Sequence, residues 1–366
     1  MKTKDTYNRS AKLFAACLTV LSILAARREA CAQGGLFPPG PPAPTMKTLV
    51  QVEPRVDVQT LPGDPFSRFV ISEPGSYYLT TNVLGAPGIS GISIRTNNVT
   101  LDLNGFALLG TTGSLDGIVV LGPQNNIEIR SGNIENWAGD GVNTSMGTVD
   151  CRLVNIRSSR NEGNGFNLGQ RSVITECQAA TNRMNGIRIA SGIVKNCTTA
   201  GNGSPMNPPF IGAHGIFVIG PPFPVLGGDI IKDCVSEFNY LDGINVAMAV
   251  PGTGASIVDC VTKGNFNDGI EVVNYVVVRG NHCFNNLVAG IHVSGVGTGN
   301  RIEDNHVGFH PTGYMLDPGT VGNLVIKNTS QANGAPFVFP LGNHIGAMVA
   351  FPGIGFGGTP WDNFIF

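Results

Sequence analysis

Charged residues are scarce in this chain. Asp, Glu, Lys and Arg make up 13% of its 366 residues, which is about half of the share in an ordinary soluble domain. The net charge at pH 7 is −2, and no run of Lys and Arg forms a basic field. A protein without such a field lacks the charge that attracts phosphates, so nucleic-acid binding is excluded as a predicted function.

The patterns of long amphipathic helices are also absent, because Lys and Glu are few. The chain contains 50 Gly and many Asn, and 42% of its residues are hydrophobic. Enough apolar residues remain to form a core, and glycine and asparagine favour tight turns. This composition predicts short strands joined by turns.

Long apolar runs are missing except near the N-terminus. Four basic residues precede the apolar run 13–26, and the small-residue pattern Ala30-Cys31-Ala32 follows it. This layout predicts a signal peptide over 1–32, and therefore a protein that is secreted, periplasmic or on the cell surface. The alternative is a cytosolic protein whose N-terminus mimics a signal. Residues 33–46 are rich in proline and predict a stiff linker, and no later segment predicts a membrane span.

A repeat runs through the rest of the chain. A glycine followed by an apolar, a variable and often another apolar residue recurs at Gly117, Gly141, Gly165, Gly186, Gly215, Gly243, Gly269 and Gly290. Each unit has too few apolar residues to form a core alone, so units must stack. The spacing predicts an all-β fold over 47–334: a right-handed parallel β-helix, a single-stranded solenoid with three short strands per coil. The leucine consensus of a leucine-rich repeat is missing.

Two departures from the repeat predict features outside the stack. The proline-rich insertions 203–214 and 220–228 lengthen two coils, and proline disrupts strand ladders. The aromatic-rich tail 335–366 predicts an irregular cap on the last coil, since the open end of a solenoid needs a cover.

Six cysteines remain after the predicted signal: Cys151, Cys177, Cys197, Cys234, Cys260 and Cys283. Their spacing predicts that all six occupy one repeat position and point into the core, where a thiol behaves as a small apolar group. Reduced thiols are the preferred prediction. Disulfides between neighbouring coils are the alternative, because adjacent strands bring Cα atoms within disulfide range.

These coils, the Asn-rich turns and the stretch 98–106, Asn-Val-Thr-Leu-Asp-Leu-Asn-Gly-Phe, resemble the bacterial right-handed parallel β-helix repeat proteins, the pectate-lyase-like superfamily in the broad sense. The resemblance covers roughly 70–329. It implies the fold strongly and the activity weakly, because this superfamily includes lyases, hydrolases, epimerases and adhesins. The signatures of polygalacturonase-type hydrolases are incomplete at Asn143-Thr144-Ser145 and Ala213-His214-Gly215, which argues against that type of hydrolase.

Equivalent residues of stacked coils form rows, and two rows are polar. The residues before the repeat glycines are Asp116, Asp140, Asn164, Asn185, His214, Asp242, Asp268 and Ala289. The outward residues two positions after those glycines are Val119, Asn143, Asn167, Arg188, Phe217, Asn245, Glu271 and His292. In the later coils the two rows are expected to bring their acidic and histidine side chains together.

Asp242 and Asp268 are expected about 5 Å apart on neighbouring coils. Carboxylates at that distance share a proton or bind a cation, and Ca²⁺ is the predicted cofactor. Either state suits uronate chemistry, in which a base removes a proton beside a neutralised carboxylate. The predicted catalytic residues are Asp242, Asp268, Glu271, His292 and Arg188, the last two as base or carboxylate clamp. His214, Phe217 and Asn245 are the predicted substrate-binding residues.

A structural role competes with each of these assignments. Asp and Asn before glycine are what a tight turn requires, because they tolerate left-handed dihedrals and bond their own backbone. Two functions therefore stay open. The first is an exported monomer that binds, and cleaves or epimerises, an acidic extracellular polysaccharide. The second is a non-catalytic structural or adhesive module that binds a glycan, a surface or a protein.

Overall fold

The computed structural model describes residues 54–145, 147–203, 213–220, 228–247, 254–350 and 359–366. The predicted signal peptide, the predicted linker and most of the two proline-rich insertions lie outside the described residues. The only helix among the described residues is a 3₁₀ turn, Val58–Thr60. The strands in chain order are β1 Val56–Asp57, β2 Ser67–Ile71, β3 Gly75–Tyr78, β4 Val83–Leu84, β5 Ser90–Ile94, β6 Val99–Asp102, β7 Ala107–Leu109, β8 Ile118–Val120, β9 Asn125–Glu135, β10 Val142–Asn143, β11 Val149–Ser159, β12 Phe166–Leu168, β13 Ser172–Thr175, β14 Gln178–Ala180, β15 Ile187–Ile189, β16 Gly192–Lys195, β17 Thr198–Ala200, β18 Ile216–Val218, β19 Asp229–Lys232, β20 Val235–Glu237, β21 Ile244–Val246, β22 Ala255–Val258, β23 Val261–Lys263, β24 Ile270–Val272, β25 Val276–Arg279, β26 His282–Phe284, β27 Ala289–Val293, β28 Arg301–Glu303, β29 His306–Gly308, β30 Thr312–Leu316, β31 Leu324–Ile326, β32 Thr329–Gln331, β33 Ala335–Val338, β34 His344–Ile345, β35 Met348–Ala350 and β36 Asn363–Ile365.

The strands form two parallel sheets. Sheet 1 consists of β2, β5, β8, β10, β12, β15, β18, β21, β24, β27, β30 and β33, and sheet 2 contains the other strands. Most coils add one strand to sheet 1 and two to sheet 2, as β21, β22 and β23 do, and the strands pair with their equivalents on the neighbouring coils. Two coils instead carry one long sheet-2 strand, β9 or β11, which pairs with two strands of a neighbouring coil. The predicted parallel β-helix with three short strands per coil is confirmed.

The alternation of apolar and polar residues explains the stacking. In β21, Ile244 and Val246 are buried and face the core, while Asn245 lies between them on the outer side. Inward side chains of successive coils form a continuous column: Ile118, Val142, Phe166, Ile187, Ile216, Ile244, Ile270, Ile291 and Tyr314. A strand of three residues cannot bury its apolar side chains alone, so the coils are stable only together.

Buried asparagines tie successive coils to one another. The ladder Asn161, Asn182, Asn202, Asn239, Asn265 and Asn286 runs between sheet 2 and sheet 1, and each side-chain oxygen accepts the backbone N–H of the previous member. His310 continues the ladder, because its Nδ1 accepts the N–H of Asn286 at 3.0 Å. The ladder satisfies backbone groups that would otherwise be buried without a partner.

The left-handed residues lie at a different corner from the one predicted. Asp259 and its equivalents Asp233 and Asp304 have φ near 55° and separate the two sheet-2 strands of their coils. None of the Asp or Asn residues before the repeat glycines has a positive φ. The prediction that these Asp and Asn residues are present because they adopt left-handed turn conformations is therefore wrong. Their side chains instead form the hydrogen bonds described below.

The cysteines also depart from the prediction. Four of them, Cys177, Cys197, Cys234 and Cys260, occupy equivalent positions on successive coils. Cys151 is aligned instead with Ile127, and Cys283 with Thr262. The prediction of a single position for all six is therefore wrong for these two. All six are buried free thiols in the structure, and burial raises the pKa of Cys151 and Cys283 to about 12.

The C-terminal tail is more regular than predicted. β33 extends sheet 1 beyond β30, while β34 and β36 extend sheet 2. The coil pattern thus continues past residue 334, because backbone pairing is available on the last full coil. Among the described residues no helix has the length and apolar character needed to cross a membrane.

Candidate functional site

The outward row of sheet 1 is in the predicted register. It consists of Ser93, Val119, Asn143, Asn167, Arg188, Phe217, Asn245, Glu271, His292 and Met315, each paired with the next on the neighbouring coil. The row is continuous even though the two proline-rich insertions interrupt the sequence beside it. It therefore forms one face along the helix axis, called here the outward face.

The acidic residues before the repeat glycines hold the backbone of the next coil. Oδ1 of Asp242 accepts the backbone N–H of Asp268 at 3.0 Å, and Oδ1 of Asp268 accepts that of Ala289 at 2.8 Å. Asp116 and Asp140 make the same bond to their own next coils. One oxygen of each carboxylate is therefore structural, and the second oxygen contacts a side chain of the outward face.

Three carboxylates converge on that face. Asp242, Asp268 and Glu271 each place an oxygen within 4.8 Å of the others, which agrees with the spacing predicted for Asp242 and Asp268. The amide of Asn245 joins two of them: its Nδ2 donates to Asp242 Oδ2 at 2.8 Å and to Glu271 Oε2 at 2.7 Å. Asp242 and Asp268 are almost fully buried, whereas Glu271 is partly exposed. These four residues are called the acidic cluster.

Burial and mutual repulsion separate the pKa values of the acidic cluster. Burial, followed by the charge of Asp242, raises the pKa of Glu271 from 4.5 to about 7. Burial also raises the pKa of Asp268, although His292 opposes it. For Asp242, burial acts in the same direction but is outweighed by the neighbouring His214, Glu271 and Asn245, so its pKa falls to about 2. Glu271 is the carboxylate that exchanges a proton near neutral pH.

His214 lies at the N-terminal side of the acidic cluster. Its Nδ1 is 3.0 Å from Asp242 Oδ2, without the alignment of a hydrogen bond. Its ring stacks on Phe217 with centroids 4.7 Å apart. The three predicted substrate-binding residues, His214, Phe217 and Asn245, therefore lie together beside the carboxylates.

His292 is held between two carboxylates on the C-terminal side. Its Nδ1 contacts Asp268 Oδ2 at 2.8 Å and its Nε2 contacts Asp317 Oδ1 at 3.1 Å. Burial acts to lower the pKa of His292, but the hydrogen bonds and charges of both carboxylates raise it to about 9. A protonated imidazole with both nitrogens engaged has no lone pair for a substrate proton. The predicted role of base does not fit His292, and a fixed positive charge does.

The contacts of His292 with Asp268 and Asp317 predict that the stability of the protein depends on pH. The folded pKa of His292, about 9, lies above its ordinary value of 6.5, so its contribution is complete below pH 6.5 and is lost as the pH rises to 9. We expect the free energy of unfolding to fall by about 2 kcal/mol across this range. In thermal denaturation, the stability of His292→Gln should change less with pH between 6.5 and 9 than the stability of the native protein does. Exposed His344→Gln is the control, and an unchanged slope in His292→Gln would contradict the assignment.

Arg188 lies outside the acidic cluster. It is three coils from Glu271 along the outward face, or about 14 Å at the usual strand spacing. Its Nη1 donates to Asn167 Oδ1 at 2.8 Å, and Asn167 in turn donates to Asp140. Arg188 is therefore the one predicted catalytic residue that the structure does not bring together with Glu271.

The acidic cluster has the donors that a hard cation requires. Three carboxylates are the ligands that Ca²⁺ prefers. Asn245 Oδ1 is buried and accepts no hydrogen bond among the described residues. Rotation of this amide by half a turn would place the oxygen, instead of the NH₂ group, beside Asp242 and Glu271. That arrangement is favourable only with a cation present, so the residues fit the predicted Ca²⁺ site.

Two features near the site escaped the sequence analysis. Asp317 follows β30 and contacts His292 across one coil. Tyr240 and Phe266 stack with centroids 4.7 Å apart, and both lie three residues before a repeat glycine. That shared offset was the signal for the aromatic pair. Asp317 had no comparable signal, because it follows the strand in a coil without the Gly-Ile pattern.

Comparison with known proteins supports the fold. The chain is similar to the A-module of the mannuronan C-5 epimerase AlgE4 of Azotobacter vinelandii, with 16% identity, a TM-score of 0.64 and coverage of 80% of this chain and 88% of that one. The A-module of the mannuronan C-5 epimerase AlgE6 of the same organism is 16% identical, with a TM-score of 0.50 and coverage of 85% of this chain and 87% of that one. Tailspike protein 3 of bacteriophage CBA120 is 14% identical, with a TM-score of 0.52 and coverage of 75% of this chain and 47% of that one. No family model and no curated sequence matches the chain.

Proposed function

We propose that this protein binds an acidic polysaccharide along the outward face and transfers a proton at a uronate unit held by the acidic cluster. The observation that carries the proposal is Glu271, a partly exposed carboxylate with a pKa of about 7. It lies among Asp242, Asp268 and the cationic His292 on a face long enough for a polymer. A base is most effective when its pKa is near the working pH.

The chemistry follows from the acidity of the uronate carbon beside its carboxylate. Glu271 takes the proton from that carbon, and the electron pair moves into the carboxylate. If the pair then forms a double bond and the neighbouring glycosidic C–O bond breaks, with the leaving oxygen taking a proton from water, the result is eliminative cleavage. If a proton from water is instead added to the carbon on its other face, the result is epimerisation. The positive charge of His292 offsets the charge that develops nearby.

A bound cation would assist if Glu271 stays outside its coordination sphere. Asp242, Asp268 and the carbonyl of Asn245 would hold Ca²⁺, which would neutralise the carboxylate of the sugar and leave Glu271 free to take the proton. Arg188 would hold the carboxylate of another unit of the polymer, since a guanidinium pairs well with carboxylates. The mannuronan C-5 epimerases among the similar structures act, by their names, on a uronate polymer, which supports this substrate class.

A non-catalytic glycan-binding module is the second candidate. The observation that favours it is the amount of bonding already present in the cluster: Asp242 and Asp268 each hold a backbone N–H, and His292 is locked between two carboxylates. In that case the acidic cluster only links neighbouring coils, and the outward face binds a glycan without reacting with it.

The test measures proton exchange instead of one product. The purified protein is incubated in D₂O with polymannuronate, polygalacturonate and a neutral glucan, with Ca²⁺ or with chelator, and the polymers are analysed by mass spectrometry and NMR. We expect deuterium in a uronate polymer, or unsaturated ends. Asp242→Asn is the suitable variant, because its amide oxygen still accepts the N–H of Asp268 while the negative charge is lost.

Each outcome separates the candidates. Exchange that is reduced in Asp242→Asn supports proton transfer at the cluster. Binding without exchange on every polymer would establish the non-catalytic module. Neither binding nor exchange would reject both proposals.

Export belongs to the same proposal. A polysaccharide outside the cell requires the protein to leave the cytoplasm, as the predicted signal over 1–32 implies. N-terminal sequencing of the protein recovered from the periplasm or medium should begin near Gln33. Size-exclusion chromatography of the same material tests the predicted monomer.

A further inference from the structure

A cleft separate from the acidic cluster lies at the N-terminal end of the outward face. It has a volume of about 400 Å³, a size typical of small-ligand sites. Val119 and Asn143 of the outward row form part of its lining, so the cleft is continuous with the face that leads to the acidic cluster. Phe66 and Leu115 stand at its sides and are 67% and 43% exposed.

The chemistry of this cleft differs from that of the acidic cluster. Arg95, its cationic residue, is already paired with Asp64 and also donates to Ser93. Asp116 has one oxygen on the backbone N–H of Asp140, and the other accepts from Asn143 Nδ2 at 3.2 Å. Among the described residues that line the cleft, none therefore carries an unpaired positive charge that would attract a carboxylate. An exposed aromatic ring beside a polar edge instead suits the apolar face of a sugar ring and its hydroxyl groups.

The cleft and the acidic cluster are too far apart for one sugar. Val119 and Glu271 are separated by six coil steps on the same row, which is about 29 Å at 4.8 Å per step. Asn167 and Arg188 occupy the row between them. A ligand that reaches both sites must be a chain of several sugars.

We propose that this cleft is a distal subsite that holds one sugar of a polysaccharide by its apolar face, with hydroxyl groups on Asp116 and Asn143. The inference rests on the proposed binding of a polymer along the outward face. A subsite at this distance adds affinity only for chains that span both sites, so it selects long polymers over short ones.

The experiment compares Phe66→Ala with the native protein by calorimetric titration of short oligomannuronates and of polymannuronate. We expect the variant to bind polymannuronate about tenfold more weakly, with the affinity for short oligomannuronates unchanged. Leu341→Ala is the matched control, because Leu341 is an exposed apolar residue at 98% exposure on the last coil. It should alter neither affinity.

Other outcomes overturn the inference in distinct ways. An equal loss for short and long chains would place Phe66 in general folding, and no loss for either would remove it from the binding face. The same titration with a neutral glucan separates this inference from the proposed function. A length-dependent loss on the glucan, without deuterium exchange on any uronate polymer, would keep the subsite and reject the proton transfer.

Discussion

Replacing Glu271 with glutamine should lower the rate of proton exchange on a uronate polymer by about a thousandfold, the usual effect of losing a general base. The substitution keeps the shape of the side chain and an oxygen that accepts from Asn245, but it removes the group that takes the proton. Binding of the polymer should therefore change little. In the native protein the rate should rise with pH through about 7, because Glu271 must be ionised to act.

Deuterium incorporation and calorimetric binding on the same protein samples measure the two effects separately. Glu237→Gln is the matched control, since Glu237 lies in β20 of sheet 2 and not on the outward face of sheet 1. It should leave the exchange rate unchanged. Exchange that persists in Glu271→Gln with its native pH dependence would assign the base to another residue, and His214 would be the next to replace.

The second large effect concerns the asparagine ladder. Replacing Asn265 with leucine should lower the free energy of unfolding by about 4 kcal/mol, because several buried partners lose their bonds at 1–3 kcal/mol each. The side-chain oxygen of Asn265 accepts the backbone N–H of Asn239 at 2.9 Å, and its Nδ2 donates to the carbonyl of Ser236 at 3.0 Å. Leucine offers neither group, and the site is fully enclosed.

Thermal and chemical denaturation monitored by circular dichroism measure this loss. Lys263→Leu serves as the control, because Lys263 belongs to the same coil but points to solvent, where substitutions usually change stability by less than about 0.5 kcal/mol. If Asn265→Leu were no less stable than Lys263→Leu, the ladder would not be a principal source of stability. Hydrogen exchange should show the greatest loss of protection at the amide of Asn239.

In Asp242, one side chain combines a structural bond with the chemical role proposed above for the acidic cluster. In Asp242 one oxygen fixes the next coil and the other faces His214, Asn245 and the outward face. Alanine at this position would remove both functions, so a loss of activity would not reveal its cause. The amide variant separates them, which is why Asp242→Asn is preferred.

The sequence by itself determined the fold and the register of the site. The Gly-apolar repeat recurs every 21–29 residues, and the two-residue period of a strand then decides which side chains point outward. That is sufficient to place Asn245, Glu271 and His292 in one row and to bring Asp242 close to Asp268. These relationships are local to each coil and repeat along the chain, so pattern alone reveals them.

Only the tertiary structure decided how those side chains are used. The hydrogen bond from the backbone of Asp268 to Asp242 and the contact between His292 and Asp317 both depend on how neighbouring coils pack. Such contacts depend on side-chain rotamers and on burial, and neither is encoded in residue spacing. The raised pKa of Glu271 has the same origin, because the burial and the nearby charge that raise it exist only once the coils have stacked.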